Sequence, residues 1–165
     1  MTRLLVALAA VLALAACKPA PKPTDTKASA AAAAAFMAKN AKAPGVQTLP
    51  SGVQYKVVHS GPEGGIHPGL NDEVKVHYEL KLLSGEVIDS SFDRGAPEVM
   101  DLRSLVGAWQ QVLPKMKPGD EWQVWAPPKE GYGEEDNGPI PGNSVLVFRI
   151  QLIGVLPGGG VVGRG

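Results

Sequence analysis

Three features of the sequence predict an α+β fold in which an antiparallel sheet packs around one short α-helix. Val74 to Leu82 alternates strictly, apolar at even positions and polar at odd ones, the mark of a strand with one wet face. Trp109, Val112, Leu113 and Met116 recur at i, i+3, i+4 and i+7, which is one face of a helix. The 20 glycines and 15 prolines among 165 residues demand many turns between short elements, which a helical bundle would not need. At 44% apolar and 19% charged, the chain has a globular composition. Sixteen basic residues balance sixteen acidic ones, so no overall field draws in nucleic acid. The single cysteine excludes a disulfide framework and a multi-cysteine zinc site. His59, His67 and His77 lack the spacing of a helical zinc pair, so neither a metal nor a cofactor is expected.

Taken in order, the first element is an address. Arg3 precedes the apolar run Leu4 to Ala16, which falls short of the about 20 residues a membrane span needs but suits a signal peptide over 1–16. The run ends Leu14-Ala15-Ala16-Cys17, which resembles the bacterial lipobox. That resemblance implies lipidation of Cys17, and several acyl chains anchor stably where one is marginal. By the same sorting rules Lys18 implies the outer membrane rather than the inner, with the domain in the periplasm. Residues 17–27 carry three prolines and no apolar pattern, and read as a tether. Residues 28–47 hold an alanine-rich stretch with only Phe36 and Met37 as large apolar side chains, followed by Pro44-Gly45. They predict a short, frayed, mostly exposed helix and a linker. Without a long apolar stripe for a partner helix, a monomer is expected.

Residues 48–155 form the compact domain. Val53 to Val57 alternates as a first strand, and Ser84-Gly85 turns the long strand Val74 to Leu82 into a shorter one, Glu86 to Asp89. The short helix closes at Lys117-Pro118-Gly119-Asp120, and a strand follows from Glu121 to Ala126. The last strand, Val145 to Ile153, sends Leu146, Phe148, Ile150 and Leu152 to one face. Residues 156–165, with five glycines, read as a disordered tail.

Between the last two strands lies a long irregular segment, Pro127 to Asn143, and such loops in compact domains are usually functional. It contains Pro127-Pro128-Lys129-Glu130-Gly131-Tyr132-Gly133 and Gly138-Pro139-Ile140-Pro141-Gly142-Asn143-Ser144, and leads into Leu146-Val147-Phe148. With Val76-His77-Tyr78, Asp89-Ser90-Ser91 and Trp109 in the same order, the domain resembles the FKBP-type peptidyl-prolyl cis/trans isomerases of bacterial envelopes. The resemblance implies an FKBP-like sheet around one helix and a substrate class of proline-containing polypeptides. It gives Trp109 as the floor of a proline pocket, Tyr78 and Phe148 as walls, and Leu105 and Val106 as rim, with the Val106 amide a donor to a bound carbonyl. It places Asp89 beside Tyr78 with Arg94 orienting the pair, Tyr132 presenting its hydroxyl to substrate, and Ile140 as a flap. Pattern alone assigns Trp109 and Phe148 equally well to a core, and Asp89 and Tyr132 to ordinary turns.

Three positions depart from the family pattern. Ile88 stands where phenylalanine is usual, Glu98 occupies a position commonly apolar or aromatic, and Gly107-Ala108 replaces Pro-Gly before Trp109. Ile88 thus removes one substrate-contacting aromatic wall, which bears on a macrolide as a candidate ligand. The rival functional reading is a partner-binding or chaperone-like lipoprotein that uses the same pocket with little turnover.

Overall fold

A computed structural model describes residues 26–158 of the chain. The signal segment, Cys17 and most of the tether lie outside the described residues, as do 159–165. The elements in order are helix α1 (Thr26–Asn40), strands β1 (Gln47–Thr48), β2 (Gln54–His59), β3 (Glu73–Lys81), β4 (Val87–Ser90) and β5 (Glu98–Asp101), helix α2 (Gly107–Val112), then β6 (Glu121–Ala126) and β7 (Leu146–Leu156). The sheet runs β1-β2-β6-β7-β3-β4, with β5 also on β3, and every pairing is antiparallel. β4 and β5 share one edge of β3, β4 opposite its C-terminal half and β5 opposite its N-terminal half.

The alternation read from the sequence is the alternation of burial. Val74, Val76, Tyr78 and Leu80 of β3 face the core, as do Trp122, Val124 and Ala126 of β6 and Leu146, Phe148, Ile150 and Leu152 of β7. Against this face lie Trp109, Val112, Leu113 and Met116, all four buried. The helix itself is brief, because Pro114 cannot donate to an α-helical ladder and the chain tightens into a 3-10 turn over Leu113–Lys115. A carboxylate then ties the far end of the domain together. Asp120, 5% exposed at its side chain, accepts from the Gly61 amide (2.7 Å), the Lys117 amide (3.0 Å) and the Lys117 ammonium (2.9 Å).

Several boundaries differ from expectation. The alanine helix begins at Thr26, inside the expected tether, and it is docked where a frayed helix was expected. Ala33 and Met37 pack with Val145, Phe36 and Trp125, while Gln54 donates to the Met37 carbonyl at 2.8 Å and accepts from Asn40 at 2.8 Å. Small alanine side chains let the helix approach closely, so two buried positions and two hydrogen bonds suffice. Most of its remaining surface is exposed, as expected. β1 and β5 were not anticipated, since strands of two and four residues carry too little periodicity to read. β7 runs on to Leu156, and Gly158 donates to Asp72 at 3.0 Å, which takes the first residues from the expected tail. His77 stands on the outer face of β3, half-buried, where it bonds the Ser91 hydroxyl at 3.0 Å and stacks on Phe92.

Candidate active site

A cavity of about 210 Å³ opens between the sheet and the start of α2. Trp109 closes it below, 3% exposed, with the rings of Tyr78 and Phe148 meeting the indole edge-to-face at centroid distances of 5.5 and 5.4 Å. Such contacts add about 0.5–1.5 kcal/mol each beyond burial and fix the rings' mutual tilt. The indole N–H has no hydrogen-bond partner among the described residues, so the ring is held by packing. Leu80 and Met100 complete the apolar lining, and Ser104, Leu105 and Val106 form the rim. The Val106 carbonyl caps α2 by accepting from the Trp109 amide (2.9 Å) and Gln110 amide (3.3 Å), which stations this residue at the cavity edge. Tyr132, 43% exposed, lines the mouth from the long loop.

One wall is polar. The Tyr78 hydroxyl donates to Asp89 Oδ2 at 2.5 Å and accepts from Arg94 Nη2 at 3.1 Å. Arg94 also bonds Asp89 through Nη1 and Glu98 through Nη2, and its guanidinium lies 5.7 Å from the Tyr78 ring centroid. Burial, helped by the adjacent Asp89 carboxylate, pushes the Tyr78 phenol up to about 12, so it remains a proton donor at any physiological pH. Burial would raise Asp89, but the bonds from Tyr78 and Arg94 outweigh it and hold the carboxyl below its ordinary value. The bonds that Arg94 makes to Asp89 and to the Tyr78 hydroxyl raise it in turn, so it stays cationic.

A register break aims Asp89 into the cavity. Leu80 pairs with Asp89 and Lys81 with Val87, leaving Ile88 as the extra residue of a β-bulge. Simple alternation would have put Ile88 on the inner face and Asp89 on the outer one. The bulge brings Asp89 opposite Leu80 while Ile88 still packs against the core. Ser91, fully buried, then fixes Tyr78 at the backbone: its hydroxyl accepts from the Tyr78 amide (2.7 Å) and donates to the Tyr78 carbonyl (3.2 Å), and its amide donates to the same carbonyl (2.9 Å).

Of the ten residues expected at the pocket, Tyr78, Asp89, Trp109, Tyr132, Phe148, Leu105 and Val106 line the cavity. Arg94 stands behind Asp89, and Ile88 packs against the core beside the cavity. Ile140 is 5% exposed and belongs to the core cluster, pinned through a bridge to Asn137. Sequence reasoning passed over Leu80, Met100 and the positioning role of Ser91, although strand alternation and the Asp89-Ser90-Ser91 motif carried the signal for the first and the last. A larger hollow of about 560 Å³ lies between α1 and the Pro50–Gly52 and Pro127–Lys129 segments. Alanine and proline make much of its wall, and it has no counterpart of the Tyr78–Asp89–Arg94 network.

The sequence model for the FKBP-type peptidyl-prolyl cis-trans isomerases matches residues 64–153, more than half of the chain and all of this cavity. The chain belongs to that family. A second model, for the domain amino-terminal to FKBP-type isomerases, matches residues 7–57, of which 7–25 lie outside the described residues. Among FKBP-type relatives, the peptidyl-prolyl cis-trans isomerase Mip of Coxiella burnetii is 46% identical over 122 residues, 73% of this chain and 52% of that protein. The outer membrane protein MIP of Legionella longbeachae is 38% identical over 122 residues, again 73% and 52%. The crystal structure of FkpA from Escherichia coli superposes with a TM-score of 0.77 at 33% identity, covering 82% of this chain and 62% of that one. The chain therefore spans about half the length of the curated relatives it matches. Among the described residues no helix is long and apolar enough to cross a membrane.

Proposed function

We propose that the chain is a peptidyl-prolyl cis/trans isomerase that acts on proline-containing polypeptides in a bacterial envelope. The carrying observation is a small, aromatic-walled cavity with one hydrogen-bonded polar side. Its about 210 Å³ is below the usual 300–1,000 Å³ of drug-sized ligand sites, and suits one side chain with its flanking residues outside. Amide resonance sets the rotational barrier at about 18–20 kcal/mol. Twisting the bond breaks that resonance and reduces the charge separation between oxygen and nitrogen. Apolar walls from Trp109, Phe148, Leu80 and Met100 therefore favour the twisted bond over the planar one, which is preferential binding of the transition state. Asp89 and Arg94 hold Tyr78 so that the polar side needs no rearrangement as the bond turns. Proline suits such a site because its two isomers are close in energy and exchange slowly.

The test is catalysed cis-to-trans exchange on a proline peptide by the chain from Lys18 onward. Acceleration supports the reading. Binding of the peptide without acceleration would favour the partner-binding alternative.

Lipid tethering at Cys17 and an outer-membrane location belong to the same proposal. They are supported by the Leu14-Ala15-Ala16-Cys17 sequence and by a relative named an outer membrane protein. Cys17→Ser should yield a form that takes up no labelled fatty acid and extracts without detergent. Labelling equal to that of the native chain would end the lipoprotein reading.

A further inference from the structure

The charge around the cavity is lopsided in a chain that is neutral overall. Segments 87–106 and 129–136, which frame the cavity, contain eight carboxylates against three basic residues. One of these carboxylates stands on the strand face that borders the cavity. Glu98 lies opposite Val76 in the β3–β5 register, as Met100 lies opposite Val74, and both Val76 and Val74 face the core. Glu98 therefore stands on the face of β5 whose Met100 lines the cavity. It bonds Arg94, the same guanidinium that serves Asp89 and Tyr78, and the Arg94 and Glu98 side chains remain 44% and 39% exposed. Two carboxylates thus share one cation at the mouth, leaving one negative charge uncompensated beside an apolar floor.

We infer that the site prefers prolines with a basic residue adjacent, and that Glu98 sets this preference; the inference rests on the isomerase reading above. With the proline ring on Trp109, a neighbouring residue's Cα lies about 3.8 Å along the chain. A lysine or arginine there reaches several ångströms further and carries its charge to the rim, where its stem lies on apolar surface and its head meets the acidic side. An acidic neighbour meets the same surplus as repulsion. Other carboxylates of these two segments, Asp93, Asp101, Glu135 and Asp136 among them, are exposed and add a longer-range attraction that salt screens. Selection by charge takes over at a position where an apolar side chain would have selected by size.

The experiment compares kcat/KM on two peptide series, with lysine, leucine or glutamate placed directly before proline in one and directly after it in the other. Measurements are made at low and at high salt, with the native chain, Glu98→Gln and Glu98→Lys. Exposed charge pairs are weak, so lysine should exceed glutamate by about 1.4- to fivefold at low salt in at least one series. The ratio should shrink in high salt, fall in Glu98→Gln and reverse in Glu98→Lys. Because the readout is a ratio, a uniform loss of activity in a variant does not imitate it. Equal rates on lysine and glutamate peptides in both series, or an undiminished ratio in Glu98→Gln, would overturn the inference while leaving the isomerase reading intact. No acceleration on any peptide by the native chain would overturn both.

Discussion

Asp89 and Asp120 are the same side chain in the same kind of ion pair, yet they do different work. Each is bonded to a basic side chain, and each has its carboxyl held below its ordinary value against the opposing pull of burial. Asp120 spends its other bonds on backbone, the amides of Gly61 and Lys117, and is sealed at 5% exposure. Asp89 bonds chiefly to side chains, Tyr78 and Arg94, with the Ser90 amide a lesser partner, and stands at the wall of a cavity with 40% of its own side chain exposed. Backbone partners make a carboxylate part of the scaffold. Side-chain partners beside an open cavity make it part of a site. A perturbed titration alone would not have separated the two.

The comparison can be broken most forcefully where scaffold and site coincide. Trp109 is both the floor of the cavity and a buried core aromatic, so Trp109→Ala should cost about 3–5 kcal/mol of stability and abolish turnover together. Denaturant unfolding beside a peptide assay checks this, and full stability in that variant would remove Trp109 from the core.

Asp120→Asn should divide the two roles. Losing a charged acceptor for two amides and an ammonium should cost about 2–3 kcal/mol, with kcat/KM per folded molecule unchanged. The pH dependence supplies the sign. Because the folded-state value of Asp120 is depressed, its contribution is complete above the unfolded value near 3.8 and is lost as pH falls through the lower folded value. The stability gap between the native chain and Asp120→Asn should therefore be constant at neutral pH and close in strong acid. A gap that persists unchanged into strong acid would contradict the assignment.

Ile88→Phe is the smallest expected effect. At the bulge the new ring lies beside the cavity, so an increase of about twofold in kcat/KM is expected on a peptide with a bulky apolar residue before proline. Stability should change by less than about 1.5 kcal/mol, as for other tolerated apolar swaps.

How far the sequence could be read follows from the same contrast. The long strand, the last strand and the short helix were legible because their apolar residues share a period with their buried faces. So was the burial of Tyr78 and Phe148, which sit in phase with those strands, whereas their place as pocket walls came only from the family resemblance. The bulge at Ile88 was not, because an inserted residue breaks the period that strand reading depends on. Nor was the docking of α1, which depends on Gln54 from another element, nor the Arg94–Glu98 bond, which joins the ends of an irregular segment and shows no pattern in the sequence. Local order is written in the sequence as period, and a site built across elements is not.

The most direct test of the account is kcat/KM for prolyl isomerisation by Asp89→Ala, normalised to the folded fraction and set beside the native chain. Removing the carboxylate frees the Tyr78 hydroxyl and one side of Arg94, and losing about 1.4 kcal/mol of transition-state stabilisation lowers the rate about tenfold. The account predicts that loss with little change in unfolding midpoint. Native turnover in Asp89→Ala, or a loss explained wholly by unfolding, would contradict it.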